Sequence, residues 1–133
     1  MKRLTCILFI IVVLAFMAAC DKGEKEDLSD TDFISITSEE AKNIMDSEEH
    51  YVILDVRTQE EYDKGHIKNA VLIPDYEINE MAEEMLPDKE QLILVYCRSG
   101  RRSKIASENL ADMGYSNIRE FGGIIDWEYE IER

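Results

Sequence analysis

The fold is decided by residues 92–103, which read LILVYCRSGRRS. The apolar run from Leu92 to Tyr96 is typical of a central strand buried on both faces, and it leads directly into Cys97. A helical pattern follows within a few residues. A thiol at such a junction faces backbone amides and the positive end of a helix, which both favour the thiolate. The stretch therefore predicts a strand, a nucleophilic cysteine and a helix in direct succession.

Basic side chains crowd this cysteine, although the chain as a whole is strongly acidic. They are Arg98, Arg101, Arg102 and Lys104, in a chain whose net charge is −14. A cationic pocket around a nucleophilic sulfur suits an anionic substrate that carries sulfur or resembles phosphate. The alternative is that Cys97 is a small buried hydrophobe at a strand end, which would leave its basic neighbours unexplained.

Strand-like and helix-like segments alternate through the rest of the chain. Strand candidates are Phe33–Ile36, Tyr51–Val56, Val71–Ile73, Leu92–Tyr96 and Asn117–Phe121. Helices are predicted behind the capping pair Thr37 and Glu40, around Glu60–Lys64, over Ile78–Met85, from the cysteine loop to Gly114, and around Trp127. This alternation predicts an α/β fold with a parallel central sheet of about five strands and helices on both faces. Trp127 and the methionines on the helix faces are expected in the core.

Residues 1–19 have the pattern of a signal peptide. Lys2 and Arg3 precede an apolar stretch, and Met17-Ala18-Ala19 supplies the small residues of a cleavage site before Cys20. The cysteine after two alanines resembles the lipobox of bacterial lipoproteins, which predicts lipidation of Cys20; an uncleaved anchor is the alternative. Either arrangement places the protein outside the cytoplasm at a bacterial membrane.

Residues 20–32 are charged and nearly free of apolar side chains, so they are predicted to form a flexible acidic tether. An acidic peptide-binding role is the alternative. The remaining residues, 33–133, are enough for one domain and too few for two. Loss of residues 1–19 removes Lys2 and Arg3 and no acidic residue, which makes the charge more negative still. We therefore expect no nucleic-acid binding, and membrane contact only through the lipid.

The small number of cysteines and histidines limits the kinds of functional site that the chain can form. Of three cysteines, Cys6 leaves with the signal peptide and Cys20 would be lipidated, so Cys97 is the free thiol of the mature protein. His50 and His66 with one thiol form no metal-ligand pattern. The sequence therefore predicts no metal site and no cofactor.

Several short motifs occur in an order that resembles the rhodanese family of sulfurtransferases over residues 34–127. They are Leu54-Asp55-Val56-Arg57, Glu61-Tyr62, Gly65-His66-Ile67 with Ala70 and Pro74, the cysteine loop ending Gly100-Arg101-Arg102-Ser103, and Gly122-Gly123 with Trp127. The resemblance implies a sulfurtransferase, acting as a monomer. It would pass a sulfane sulfur from thiosulfate or a similar anionic donor, through a persulfide on Cys97, to a thiol or cyanide acceptor that could be carried by a protein.

The resemblance also assigns roles to residues. The active loop would be Cys97, Arg98, Ser99, Gly100, Arg101 and Arg102, with its backbone amides cradling the sulfur and its arginines orienting the donor. Ser103 would be the N-cap of the following helix. Asp55 and Arg57 would brace the loop by hydrogen bonds and charge, or form a purely structural ion pair. His66 is expected to be structural.

Three other functions remain open at this stage. A phosphatase or arsenate reductase of related fold carries a loop one residue longer that ends in arginine, where this chain has Ser103. A membrane-tethered persulfide carrier or sensor would load Cys97 but turn over little. An inactive scaffold would leave the cysteine and its basic neighbours without a purpose.

Overall fold

The computed structural model describes residues 32–133, and a parallel sheet forms its centre. The strands are β1 (Ile34–Ser35), β2 (Tyr51–Asp55), β3 (His66–Ile67), β4 (Val71–Leu72), β5 (Leu92–Cys97), β6 (Ile118–Gly123) and β7 (Ile131–Glu132). Five of them pair in the order β1-β6-β5-β2-β4, all parallel, and β3 pairs with β7 antiparallel. The predicted α/β fold with a five-stranded parallel sheet is confirmed. The expected signal peptide, the lipidated Cys20 and nearly all of the tether lie outside the described residues.

Four helices connect the strands. They are α1 (Ser38–Ser47), α2 (Gln59–Lys64), α3 (Ile78–Met85) and α4 (Arg101–Asp112), with single 3₁₀ turns at Asp75–Glu77 and Ile124–Asp126. The predicted capping box is present: Thr37 Oγ1 accepts from the Glu40 N–H, and the Glu40 carboxylate accepts from the Thr37 N–H. Within residues 32–133, none of these helices is long and apolar enough to cross a bilayer.

Alternate residues of β5 point to opposite faces of the sheet, and each face carries its own buried cluster. Ile93, Val95 and Cys97 pack on the side of α3 and α4. Leu94 and Tyr96 pack on the other side, which is covered by α1 and the segment around Trp127. Helices therefore lie on both faces, as predicted. Trp127 is buried as expected, whereas Met85 is 38% exposed because it ends α3, and Leu86 fills the core beyond it.

The end of the chain differs from the sequence-based prediction. A helix was expected around Trp127, but only the 3₁₀ turn Ile124–Asp126 forms, and Trp127 has extended backbone angles. The indole packs against Phe121 and meets Tyr129 edge-on. The chain then returns as β7 to pair with β3, a contact between segments more than sixty residues apart. The pairing of β7 with β3 thus outweighs the weak helix propensity of the segment around Trp127.

A buried polar network ties the carboxyl ends of β2 and β5 to the start of β3. Arg57 donates to both Asp55 carboxylate oxygens and to the Gly65 carbonyl, the latter at 2.8 Å. The Tyr96 hydroxyl donates to Asp55 Oδ2 at 2.6 Å and accepts from the Ile67 N–H at 3.1 Å. Burial, together with the nearby Asp55 carboxylate, raises the pKa of Tyr96, so the phenol stays protonated and can donate.

This network predicts the effect of Tyr96→Phe on stability. The substitution leaves the Ile67 N–H buried without its partner, which costs about 1–3 kcal/mol of unfolding free energy. The measurement is urea unfolding at neutral pH, and Tyr76→Phe is the matched control because Tyr76 is 68% exposed. Equal unfolding free energies for the two variants would contradict the assigned role of the Tyr96 hydroxyl.

Candidate active site

Cys97 ends the central strand β5 with its sulfur beneath a short loop. The residue is 1% exposed, and its side chain is on the face covered by α4. Helix α4 begins at Arg101, directly after Gly100, which has the left-handed backbone angle φ +101°. The loop between strand and helix is therefore only residues 98–100, and Arg101 and Arg102 are already helical. This brings the first turn of α4 against the sulfur.

Hydrogen-bond donors converge on the Cys97 sulfur. The Gly100 N–H donates to Sγ at 3.0 Å, and Ser103 Oγ lies 3.4 Å from it. Burial raises the pKa of the Cys97 thiol, but hydrogen bonds from the Ser103 side chain and from the N–H groups of Ser103, Gly100 and Ser99 outweigh this effect. The net pKa lies below that of an ordinary cysteine. Of the predicted loop, the N–H groups of Ser99 and Gly100 act on the sulfur, and the N–H of Ser103, one residue beyond that loop, joins them.

Ser103 is not the helix N-cap that the sequence predicted. The N-cap is Gly100, and α4 has no side-chain cap. Ser103 lies within the first turn, is fully buried, and contacts both Cys97 and Glu120. The reason is that the N–H groups that a capping side chain would bind are turned toward the sulfur instead.

The loop rests directly on the end of β6. A one-residue irregularity in the pairing of β5 with β6 places Gly123 opposite Cys97. A Cβ atom on Gly123 would lie 2.0 Å from the Arg98 carbonyl oxygen and 2.6 Å from Ser99 Cα. The Ile125 N–H donates to that same carbonyl at 3.3 Å. Gly122 and Gly123 are therefore the end of a strand whose bare backbone supports the loop.

The three arginines of the site differ in their surroundings. Arg98 and Arg101 are exposed, whereas Arg102 forms a bidentate ion pair with Glu61 at 2.7 and 2.8 Å. The hydrogen bonds from Arg102, together with those from Thr58, lower the pKa of Glu61 to about 2, despite the opposing effect of burial. Proximity to Cys97 helps to raise the pKa of Arg102, after the larger effect of Glu61. Arg102 is therefore near the sulfur, but its positive charge is already paired with the Glu61 carboxylate.

Asp55 and Arg57 do not brace the loop through hydrogen bonds. Asp55 lies on the Tyr96 face of the sheet, opposite to Cys97, because adjacent strand residues point in opposite directions. Their partners are Tyr96 and Gly65, and within residues 32–133 neither bonds to the loop. This geometry agrees with the structural ion pair, the alternative that the sequence left open.

The histidines lie away from the sulfur. His66 stacks on Tyr62 with ring centroids 3.7 Å apart, and its Nδ1 bonds to the Tyr62 carbonyl. His50 lines a surface cleft with Leu92, at the opposite end of β5 from Cys97. In the part of the chain that the structure describes, no cluster of metal-ligating side chains occurs.

Sequence reasoning missed two carboxylates of the site. Glu61 was noted only as part of a motif, and its pairing with Arg102 joins residues 41 positions apart. Glu120 is 2% exposed and lies beneath the loop, where its Oε1 accepts from Ser103 Oγ at 2.6 Å. The available signal was an acidic residue two positions after Ile118 in a predicted strand, and therefore on the same face, since a carboxylate buried there needs hydrogen-bond partners.

Fold and site together define the class: an α/β domain with a buried cysteine whose sulfur accepts from backbone N–H groups at the start of a helix. The family model described as "Rhodanese-like domain" matches residues 37–130. The protein therefore belongs to the rhodanese-like domain family.

Individual relatives agree with this assignment. Thiosulfate sulfurtransferase PspE of Escherichia coli (strain K12) is 40% identical over 78 residues, which cover 59% of this chain and 73% of that protein. Putative sulfur carrier protein YrkF of Bacillus subtilis (strain 168) is 36% identical over 111 residues, covering 83% of this chain but only 59% of the relative. The crystal structure of a rhodanese-like domain protein from Staphylococcus aureus matches with a TM-score of 0.64 and 34% identity, over 74% of this chain and 96% of that one.

The contact between the loop and β6 predicts the effect of Gly123→Ala. The added methyl group forces the Arg98 carbonyl away, so we expect a loss of about 1–3 kcal/mol or more of unfolding free energy. We also expect the pH midpoint of Cys97 alkylation to rise, because the amides move off the sulfur. Gly122→Ala is the control: its methyl group meets no atom within 4 Å, although its φ of +84° adds some strain. Equal losses in the two variants would show that the loop does not rest on Gly123.

Proposed function

We propose that this protein is a rhodanese-type sulfurtransferase that carries sulfane sulfur on Cys97. The observation that carries the proposal is the buried Cys97 sulfur held by the Gly100 N–H within the amides of the loop and the first turn of α4. Donors of this kind stabilise a thiolate before the reaction and a negatively charged persulfide after it. The family assignment and the sulfurtransferase relative support the same function.

The proposed cycle has two steps. The Cys97 thiolate attacks the outer sulfur of thiosulfate, a sulfur–sulfur bond forms on Cys97, and the bond to the sulfonate sulfur breaks. Sulfite leaves with the electron pair of that bond. A thiolate or cyanide acceptor then attacks the terminal sulfur of the persulfide and regenerates the Cys97 thiolate. Charge and atoms balance in both steps, so neither an added oxidant nor a cofactor is required.

Arg98 and Arg101 are suited to attract the anionic donor, since both are exposed beside the sulfur. Arg102 would contribute at shorter range, where Glu61 holds its guanidinium in place. Because the chain has a net charge of −14, these side chains provide a local positive region on an acidic protein.

The first experiment is sulfur loading of the intact chain by thiosulfate, read by peptide mass mapping. We expect one added sulfur atom on the Cys97 peptide, removed by cyanide. Cys97→Ser should load none while its unfolding free energy changes little, because serine is nearly the same size and the same donors surround it. Loading in the serine variant would refute the mechanism. An unloaded but folded wild-type protein would favour an oxyanion-directed enzyme on this fold.

A persulfide carrier or sensor is the second candidate, supported by the relative named as a putative sulfur carrier protein. Both functions require a loaded Cys97, so loading alone does not separate them. Multiple turnovers with excess thiosulfate and cyanide would establish the enzyme. A single stoichiometric transfer under the same conditions would establish the carrier.

We also propose that lipid on Cys20 anchors the protein outside the cytoplasm, which rests on the sequence of residues 1–20. A diacylated cysteine supplies enough buried acyl chain for stable anchoring. The expected result is incorporation of labelled fatty acid into the wild-type chain and none into Cys20→Ser. Cys97→Ser is the matched control and should be labelled like the wild type. Equal labelling of the Cys20 variant would exclude lipidation at this residue.

A further inference from the structure

Glu120 is a buried carboxylate with no cationic partner. It is 2% exposed on β6, and none of the ion pairs among residues 32–133 involves it. Oε1 accepts from the Gly122 N–H at 2.8 Å and from the Ser103 hydroxyl at 2.6 Å, and Oε2 lies 3.3 Å from Ser35 Oγ. A buried carboxylate is costly when only neutral donors satisfy it. The Ser103 hydroxyl lies between Glu120 and the Cys97 sulfur, and this position indicates that Glu120 affects the protonation of the thiol.

The Ser103 hydroxyl has one proton and several possible acceptors. Oγ lies 2.6 Å from Glu120 Oε1, 3.0 Å from the Gly100 carbonyl, 3.4 Å from the Gly122 carbonyl and 3.4 Å from Cys97 Sγ. The carboxylate is the nearest of these acceptors, and charged acceptors form the stronger hydrogen bonds. With Glu120 ionised, the Ser103 proton therefore points to Glu120, and a lone pair of Oγ faces the thiol.

We propose that Glu120 is a positioning residue that competes with the Cys97 sulfur for the Ser103 hydroxyl proton and thereby sets how readily Cys97 becomes a thiolate. While Glu120 is ionised, the Cys97 thiol donates to Ser103 Oγ, and Ser103 donates to Glu120. When Glu120 carries a proton, its O–H donates to Ser103 Oγ, and the Ser103 hydroxyl turns to stabilise the thiolate.

The two arrangements differ only in the position of protons. The thiol proton passes to Ser103 Oγ as the Ser103 proton passes to Glu120 Oε1, so the S–H bond and one O–H bond break and two O–H bonds form. The net charge of the three groups is unchanged. The contribution of the Ser103 hydroxyl to the low pKa of Cys97 therefore depends on where its proton lies, and so on Glu120.

Other charged groups surround this chain of hydrogen bonds. Arg101 and Lys104 of α4 line the same surface cleft as Glu120 and Ser35. Arg102 lies near Cys97 and is paired with Glu61 of α2, with Asp75 beyond it. Arg98 is the exposed charge of the loop itself. These groups are the same in every variant below, so they contribute equally to all comparisons.

The proposal concerns the thiol on which the proposed function depends, but its test needs no sulfur donor. Iodoacetamide is a neutral reagent that reports the thiolate fraction. The rate of alkylation at Cys97 would be measured on the intact chain by peptide mapping, from about pH 4 to about pH 9, a range that brackets ordinary carboxyl and thiol titrations. Failure of sulfur loading would therefore leave this test valid.

The expected result for Glu120→Gln is a lower pH midpoint, by about one unit or more, because a neutral amide carbonyl is a weaker acceptor than a carboxylate and competes less with the sulfur for the Ser103 proton. Glu108→Gln removes the same charge from the exposed surface of α4 and should leave the midpoint unchanged. An unchanged midpoint in a folded Glu120→Gln variant would overturn the proposal, because a merely structural role alters stability and not the profile.

Ser103→Ala tests whether the effect runs through the hydroxyl, and it remains informative if the Glu120 variant is too unstable to assay. With Glu120 present, Ser103→Ala should not raise the midpoint, since the hydroxyl is committed to the carboxylate. In the Glu120→Gln background it should raise the midpoint, because a donor to the thiolate is lost. An equal rise in both backgrounds would show that Ser103 acts on the sulfur independently of Glu120.

Discussion

The site depends on a backbone-to-backbone contact between the cysteine loop and the end of β6. No side chain fits at residue 123, because a Cβ atom there would lie 2.0 Å from the Arg98 carbonyl oxygen. This contact holds the loop down over the sulfur, and the short connection from Gly100 into α4 brings the helix's first N–H groups to the same point. The N–H groups of Ser99, Gly100 and Ser103 are already in position to stabilise the thiolate, so this part of the site needs no reorganisation when charge moves onto the sulfur.

The two faces of the central strand β5 carry different groups, the cysteine on one and a buried polar network on the other. Cys97 projects to one face, and its neighbour Tyr96 projects to the other, where it joins Asp55 and Arg57 in a buried network. That network ties together the carboxyl ends of β2 and β5 and the start of β3. The network affects the cysteine loop only indirectly, because it holds β5, the strand that carries Cys97. The groups that surround the sulfur come from β6 and α4.

The charged residues near Cys97 differ in how deeply they are buried. Exposed Arg98 and Arg101 face solvent, Arg102 is held by Glu61, and Glu120 lies beneath the loop among neutral donors. Cations at the rim favour the approach of an anion to an otherwise acidic protein. The carboxylate below acts in the opposite sense, because a second negative charge near the sulfur disfavours the thiolate. Hydrogen bonds from Ser103, Gly100 and Ser99 lower the pKa of Cys97, and the role proposed for Glu120 is to oppose them.

The sequence by itself determined the α/β class, the position of the central strand, the capped start of α1 and the place of Cys97 between strand and helix. These follow from local patterns: the apolar run before Cys97, the spacing of Thr37 and Glu40, and the basic residues after the cysteine. It did not determine the pairing of β3 with β7, the extended backbone at Trp127, the true N-cap at Gly100, or the roles of Glu61 and Glu120. Only the tertiary structure decided these. The pairings join segments distant in the chain, and Gly100 is the N-cap because the first N–H groups of α4 turn toward the buried sulfur, whereas periodicity and spacing depend only on which residues are neighbours along the sequence.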